Sequence, residues 1–221
     1  VLLAVAGGLA VASQRAQAAP EPIRHAGGHE AHAPAPADLG GSFVLQDLRG
    51  APVTSESLKG RWTLMFFGYS RCTEACALAA PTLAEASRRL RDEGLPAQAV
   101  FVDIDAMPSP AVRPRRAELI AAMPHAEHGV HDAPAAASGL ARKYGDDLLV
   151  VSGTRLQVNR AAALFHVNRE HVPARPKEHG HSINHTSFVY VLAPDGRVVA
   201  FLEHDLSPAA MAAEVQRLAA G

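Results

Sequence analysis

From Gly40 onward, the apolar positions of the chain switch between an unbroken or two-residue pattern and a helical spacing, and the switches predict the elements. Ser42 to Asp47 alternates as a short strand, Arg49-Gly50 supplies a turn and Ala51 to Thr54 returns, so the domain is expected to open on a β-hairpin that caps it. Trp62 to Phe67 is apolar without alternation, the pattern of a central strand buried on both faces. A helix start is read at Thr73, with helical spacing from Leu78 to Leu90 and a bend expected at Pro81. Arg88, Arg89 and Arg91 fall near its end, where cations complement the helix dipole. Gln98 to Ile104 reads as a second buried strand.

Pro108 and Pro110 then break the chain before a helix predicted near Arg115 to Ala122. Met123 to Ala137 carries Pro124, Gly129 and Pro134 and reads as a surface insertion. Ser138 to Tyr144 reads as a short helix, Leu148 to Val151 as a strand, Arg155 to His166 as a helix and Asn168 to Gly180 as a polar loop. Thr186 to Leu192 and Arg197 to Leu202 flank Pro194-Asp195-Gly196 as a second hairpin. Ser207 and Pro208 then start a last helix that runs to Ala219. Strands that alternate with helices and close on an antiparallel hairpin predict an α/β fold, a mixed sheet with helices on both faces.

The first 39 residues have a different texture. Val1 to Ala12 is an apolar run followed by the small-x-small pattern Ala16-Gln17-Ala18, so residues 1–18 read as an export signal or, if uncleaved, a membrane anchor. No Met or basic stretch precedes the run, and the sequence is expected to lack its true start. Residues 19–39 are rich in Ala, Pro and His and read as a disordered linker before a domain over 40–221. His25, His29 and His32 in that linker form either a metal-collecting segment or a solvated tail.

Charge changes little in this picture. Lys and Arg number 21 against 22 Asp and Glu, which leaves no strong field for nucleic acid or acidic lipid. Membrane contact is expected only through the possible anchor. Twelve histidines and two cysteines are more informative, because export would place the thiols in an oxidising compartment such as the periplasm.

Both cysteines, Cys72 and Cys76, lie at the exit of the Trp62 to Phe67 strand and the entry of a helix, where reactive groups of α/β proteins gather. Four residues apart on a first helical turn, they share a face and can converge on one ion or close a disulfide. The helix end and the adjacent Arg71 would favour thiolates. Two soft thiolates select Cu(I), Zn(II) or iron–sulfur centres, and a closed zinc site wants four ligands, so a three-coordinate Cu(I) site with one histidine fits better. A plain structural disulfide and a redox pair stay open, although disulfide enzymes of the thioredoxin type normally separate their cysteines by two residues rather than three.

The other histidines and carboxylates read more plainly. Asp103 and Asp105 share a strand face as a metal or acid–base pair, or as a pair that caps and salt-bridges. His125, His128 and His131 fall in the surface insertion, and His166 reads as a packed or surface residue of its helix. His204, after the last strand, is expected to face solvent.

These residues carry a resemblance. Gly40-Gly41-Ser42-Phe43, Gly50 to Thr54, Lys59-Gly60, Val102-Asp103, the late His185 before a strand and, above all, FFGYSRCTEAC at Phe66 to Cys76 are similar to the SCO/SenC family of copper chaperones over residues 40–221. The resemblance implies a thioredoxin-like fold that binds one copper through Cys72, Cys76 and His185. It also implies that copper passes to the dinuclear site of a cytochrome oxidase, with that subunit, another copper metalloprotein or other copper chaperones as partners. Use of the same pair as a thiol reductant on the oxidase's cysteines is implied as well.

Thr73 and Ala77 stand where the family usually has proline, Asn184 stands where it has Asp, and Asp103-Ile104-Asp105 loosens its acidic motif, so the client is expected to differ within the family. His179 and His181 rival His185, which is preferred for its place at the mouth of a strand, where a ring can be aimed. The competing reading is a periplasmic thiol-disulfide oxidoreductase in which Cys72 attacks and Cys76 resolves.

Overall fold

Every residue of Trp62–Gly68 is buried, as its unbroken apolar run predicts, and the sheet is built outward from it. A computed structural model describes residues 35–72, 75–105, 133–173 and 181–221. The strands are β1 (Val44–Asp47), β2 (Pro52–Thr54), β3 (Trp62–Gly68), β4 (Ala97–Asp103), β5 (Leu149–Ser152), β6 (Arg169–Pro173), β7 (His181–His185), β8 (Phe188–Leu192) and β9 (Val198–Glu203). The helices are α1 (Ala75–Asp92), α2 (Ala133–Tyr144), α3 (Arg155–Leu164) and α4 (Pro208–Ala220). Pro34–Gly221 forms one contact unit.

Seven strands pair in the order β2-β1-β5-β4-β3-β8-β9, with β3, β4 and β5 mutually parallel and the flanking strands antiparallel. The first hairpin therefore extends the sheet through β1 and β5 rather than capping the domain, because Gln46 and Asp47 pair with Ser152 and Val151. A strand buried on both faces needs a layer on each side. Phe67 packs against Phe165, which follows α3, and against Tyr190. Phe66 points the other way, to the layer where α1 packs on β3, β4 and α4. This is the mixed, two-faced sheet expected from the pattern, in the thioredoxin-like arrangement that the resemblance implies.

Local signals account for most boundaries. Thr154 and Gln157 form a reciprocal capping box at the start of α3, and Ser207 accepts from Ala210 N at the start of α4. Helix α1 runs on through Pro81, which has no N–H to give the carbonyl of Ala77 one turn back. Helix α2 begins at Ala133, inside the segment read as an insertion, and α3 ends at Leu164, short of His166. His166 instead adopts the left-handed conformation, φ 49°, beyond the helix end.

The largest difference lies between Asn168 and Gly180. A polar, Pro-bearing stretch read as loop contains β6, which pairs with β7 as a separate antiparallel ribbon. Among the residues of the ribbon whose burial is described, alternation shows in Ile183, which is buried while Asn184 is exposed, too thin a signal to mark a strand in sequence. The helix expected near Arg115 to Ala122, most of Met123 to Ala137 and the whole of residues 1–34 lie outside the described residues.

Candidate metal site

The carboxyl end of β3 delivers the first cysteine. Gly68 closes the strand, accepting a hydrogen bond from Ile104 N at 2.8 Å, and the chain then turns so that Cys72 N donates to Tyr69 O at 3.0 Å. Cys72 is half-buried against the core, and α1 begins three residues later with Cys76 in its first turn. The side chain of Cys76 lies outside the described residues. Among the described residues, accordingly, no three potential ligands form a group.

His185 ends β7 and stands two residues before β8, at the strand mouth where the sequence places it. Its ring meets Phe66 edge-on at 5.9 Å and Tyr69 edge-on at 6.0 Å. Tyr69 is buried and lies three residues before Cys72, so one aromatic side chain ties the cysteine turn to the histidine. The Nδ1 of His185 is 2.9 Å from the carbonyl oxygen of Thr186. A carbonyl can only accept, so this contact puts the proton on Nδ1 and the lone pair on Nε2.

Beneath the turn lies Asp103, the last residue of β4, only 2% exposed. It accepts from Ser70 N at 3.4 Å and from Asp105 N at 3.1 Å. Burial pushes its carboxyl up to about 7, against the opposing pull of the Ser70 and Asp105 hydrogen bonds. Asp105 pairs with Arg71, whose Nε donates to Oδ2 at 3.1 Å. The two aspartates are thus the capping and salt-bridging pair, and Arg71, read as an aid to the thiolates, has its charge balanced by Asp105.

Arg169, paired with His185 across β6 and β7, donates to Ile104 O at 3.1 Å and to Asn159 Oδ1. It anchors the ribbon to the segment after β4. Nothing in its polar surroundings marks Arg169 in sequence, whereas the place of Tyr69 beside the cysteines could have flagged it. His181, a rival to His185 read as part of a loop, opens β7 opposite Pro173, and His179 falls outside the described residues. His204 departs from expectation, since its Nδ1 is buried and its ring lies against Phe66 at 6.4 Å.

The model of the SCO1/SenC family matches residues 31–108 and 130–220, most of the chain and both halves of this site. The chain belongs to the SCO1/SenC family. Among SCO relatives, the mitochondrial SCO2 homologue of Mus musculus is 27% identical over 158 residues, covering 71% of this chain and 52% of its own length. The chain spans about half the length of the mammalian SCO2 homologues it matches.

Copper-bound ScoI of Bradyrhizobium japonicum superposes with a TM-score of 0.60 at 26% identity, over 81% of this chain and 98% of that one. BsSco, a Sco protein of the cytochrome c oxidase assembly group for which a disulfide switch was identified, superposes at 0.55 with 18% identity. Its coverage is 83% of this chain and 95% of its own, and at that identity it speaks for the fold alone. These SCO structures share the thioredoxin-like fold described above. No helix among the described residues is long and apolar enough to cross a membrane.

Proposed function

We propose that this SCO/SenC protein is an extracytoplasmic copper carrier. One Cu(I) is held by the thiolates of Cys72 and Cys76 and by Nε2 of His185. The metal passes by ligand exchange to the dinuclear copper site of a cytochrome oxidase, or the same dithiol keeps that site's cysteines reduced. Residues 1–18 serve as the export signal or anchor and residues 19–39 as the linker to the domain.

The observation that carries this reading is the setting of His185: edge-on to Tyr69 of the cysteine turn, with Nδ1 held by the Thr186 carbonyl. A histidine whose tautomer is fixed, with the lone pair on Nε2, is what a dithiol needs to become a three-coordinate site for a soft ion. The copper-bound state of the B. japonicum relative supports the choice of metal.

Titration of the reduced chain with Cu(I) against a chromogenic competitor tests it. One tightly held copper per chain is expected. His185→Ala should weaken it by at least the roughly 10- to 100-fold that a lost outer-shell partner costs. Equal affinity in the two proteins would sink the assignment. Rapid turnover of a model disulfide that survives loss of His185 would favour the oxidoreductase reading instead.

A further inference from the structure

A net charge near zero hides a local imbalance. From Leu148 to Arg169 the chain carries Arg155, Arg160 and Arg169 and not one Asp or Glu. Arg155 and Arg160 stand exposed on α3, and neither forms an ion pair among the described residues. Burial, and after it the charge of Arg155, pulls the guanidinium of the more enclosed Arg169 below its ordinary pKa, a sign of positive charge left uncompensated.

Apolar side chains share this face. Leu156 is 78% exposed and Val44 47%, two of the four large apolar residues that stand exposed among the described residues. Both line one groove of about 400 Å³, together with Ser42, Phe43, Gln157 and Arg160, where α3 packs on β1. Exposed apolar side chains seek a partner that removes them from water, and cations without counter-charges seek an anionic one. A layer of anionic phospholipid answers both, because its acyl chains take the apolar side chains while the guanidinium groups stay among the phosphates.

The place of this face in the fold adds a reason. Strands β3, β4 and β5 are parallel, so the cysteine turn after β3 and helix α3 after β5 leave the same edge of the sheet. Arg169 ties the two places together, donating to Asn159 Oδ1 on α3 and to the carbonyl of Ile104, whose own N–H bonds Gly68 at the end of β3. Residues 19–34, even fully extended, span at most about 55 Å, so a chain anchored through residues 1–18 keeps this face within reach of the bilayer. We propose that the exposed face of α3, with Val44 across the groove, docks on an anionic phospholipid surface and brings the cysteine end of the domain close to it. Docking needs no copper, and so stands or falls apart from the copper-site reading.

An indole placed in the face reads docking directly, whatever else holds the chain to lipid. Leu156→Trp is made in the full chain, where the one other tryptophan, Trp62, is 8% exposed. The metal-free protein is mixed with vesicles of phosphatidylcholine and phosphatidylglycerol in equal parts, or of phosphatidylcholine alone, the lipids carrying bromine on their acyl chains. Emission should shift to the blue and be quenched on the mixed vesicles, far less so on phosphatidylcholine alone or at high salt. Adding Arg155→Gln and Arg160→Gln should lower the docking constant by roughly 25-fold, about 5-fold for each cation near an anionic surface. No quenching on the mixed vesicles overturns the proposal and leaves the face to a protein partner. Equal quenching on both kinds of vesicle, or undiminished quenching in the glutamine variant, overturns it as well. A blue shift that grows with protein concentration and needs no lipid overturns it in favour of a second copy of the chain. Should Leu156→Trp not fold, Val44→Trp reads the same groove from its other wall, with the same outcomes.

Discussion

Asp103 accepts a hydrogen bond from the backbone of Ser70 at 3.4 Å, across 33 residues of chain, and so fastens the cysteine turn to the neighbouring strand with a buried carboxyl. Because burial holds that carboxyl up to about 7, well above its value in an unfolded chain, the folded protein binds the proton more tightly than the unfolded one. Its contribution to stability is therefore complete at low pH, below the unfolded value near 4, and is lost as pH rises through about 7. Asp103→Asn should flatten the fall in stability between those limits. Urea unfolding of both proteins at a series of pH values checks this, and an unchanged slope would contradict it.

Tyr69 should matter to metal affinity through its ring and not its hydroxyl. Tyr69→Phe keeps the edge contact with His185 and should hold Cu(I) as the parent does. Tyr69→Leu frees the imidazole and should weaken binding on the order of 10- to 100-fold, as loss of an outer-shell support does. The competition titration reads both. Equal losses in the two variants would assign the effect to the hydroxyl.

The partnership of Arg71 with Asp105 sets the local charge beside Cys72. Neutralising the carboxylate in Asp105→Asn removes the negative charge that pairs with the guanidinium, so the thiolate should become easier to form. Alkylation of the reduced protein by iodoacetamide, followed against pH, should show the Cys72 profile moved to lower pH. A profile that stays in place or moves upward would mean that the cation does not act on the thiol.

His166 offers a stability prediction remote from metal binding. A side chain in the left-handed region is strained, and glycine is not, although glycine costs more entropy on folding. His166→Gly should stabilise the domain by about 0.5–1 kcal/mol in denaturant unfolding. Copper stoichiometry should stay as in the parent.

What could be seen in the sequence followed from how strongly each residue's local chemistry fixed its place. Trp62 to Phe67 announced a central strand because burial on both faces leaves no polar alternation, and Ser207 announced a helix start because its oxygen answers a free N–H group there. The two cysteines stood out by residue type, and His185 by the family resemblance and its place at the mouth of a strand. Strands β6 and β7 did not, since their pairing depends on partners 8 to 16 positions away and, among the residues whose burial is described, only Ile183 supplies a buried apolar anchor. The fate of His204 was equally hidden. Whether a histidine after a strand meets water or a phenyl ring depends on register across three strands, which no local pattern encodes.

The ribbon of β6 and β7 is hydrogen-bonded to itself and not to the seven-stranded sheet. Cys72 departs from that sheet, whereas His185 rides on the ribbon, so the proposed ligands stand on two separately laced pieces of backbone. Moving the imidazole away from the cysteine turn would break no rung that pairs the described strands of the main sheet, but it would part the aromatic contacts of His185 and strain the bonds that seat the ribbon, among them Arg169 to Ile104. If the chain carries copper as proposed, this division lets the ligands part without unfolding the sheet, and the seating of the ribbon would govern release.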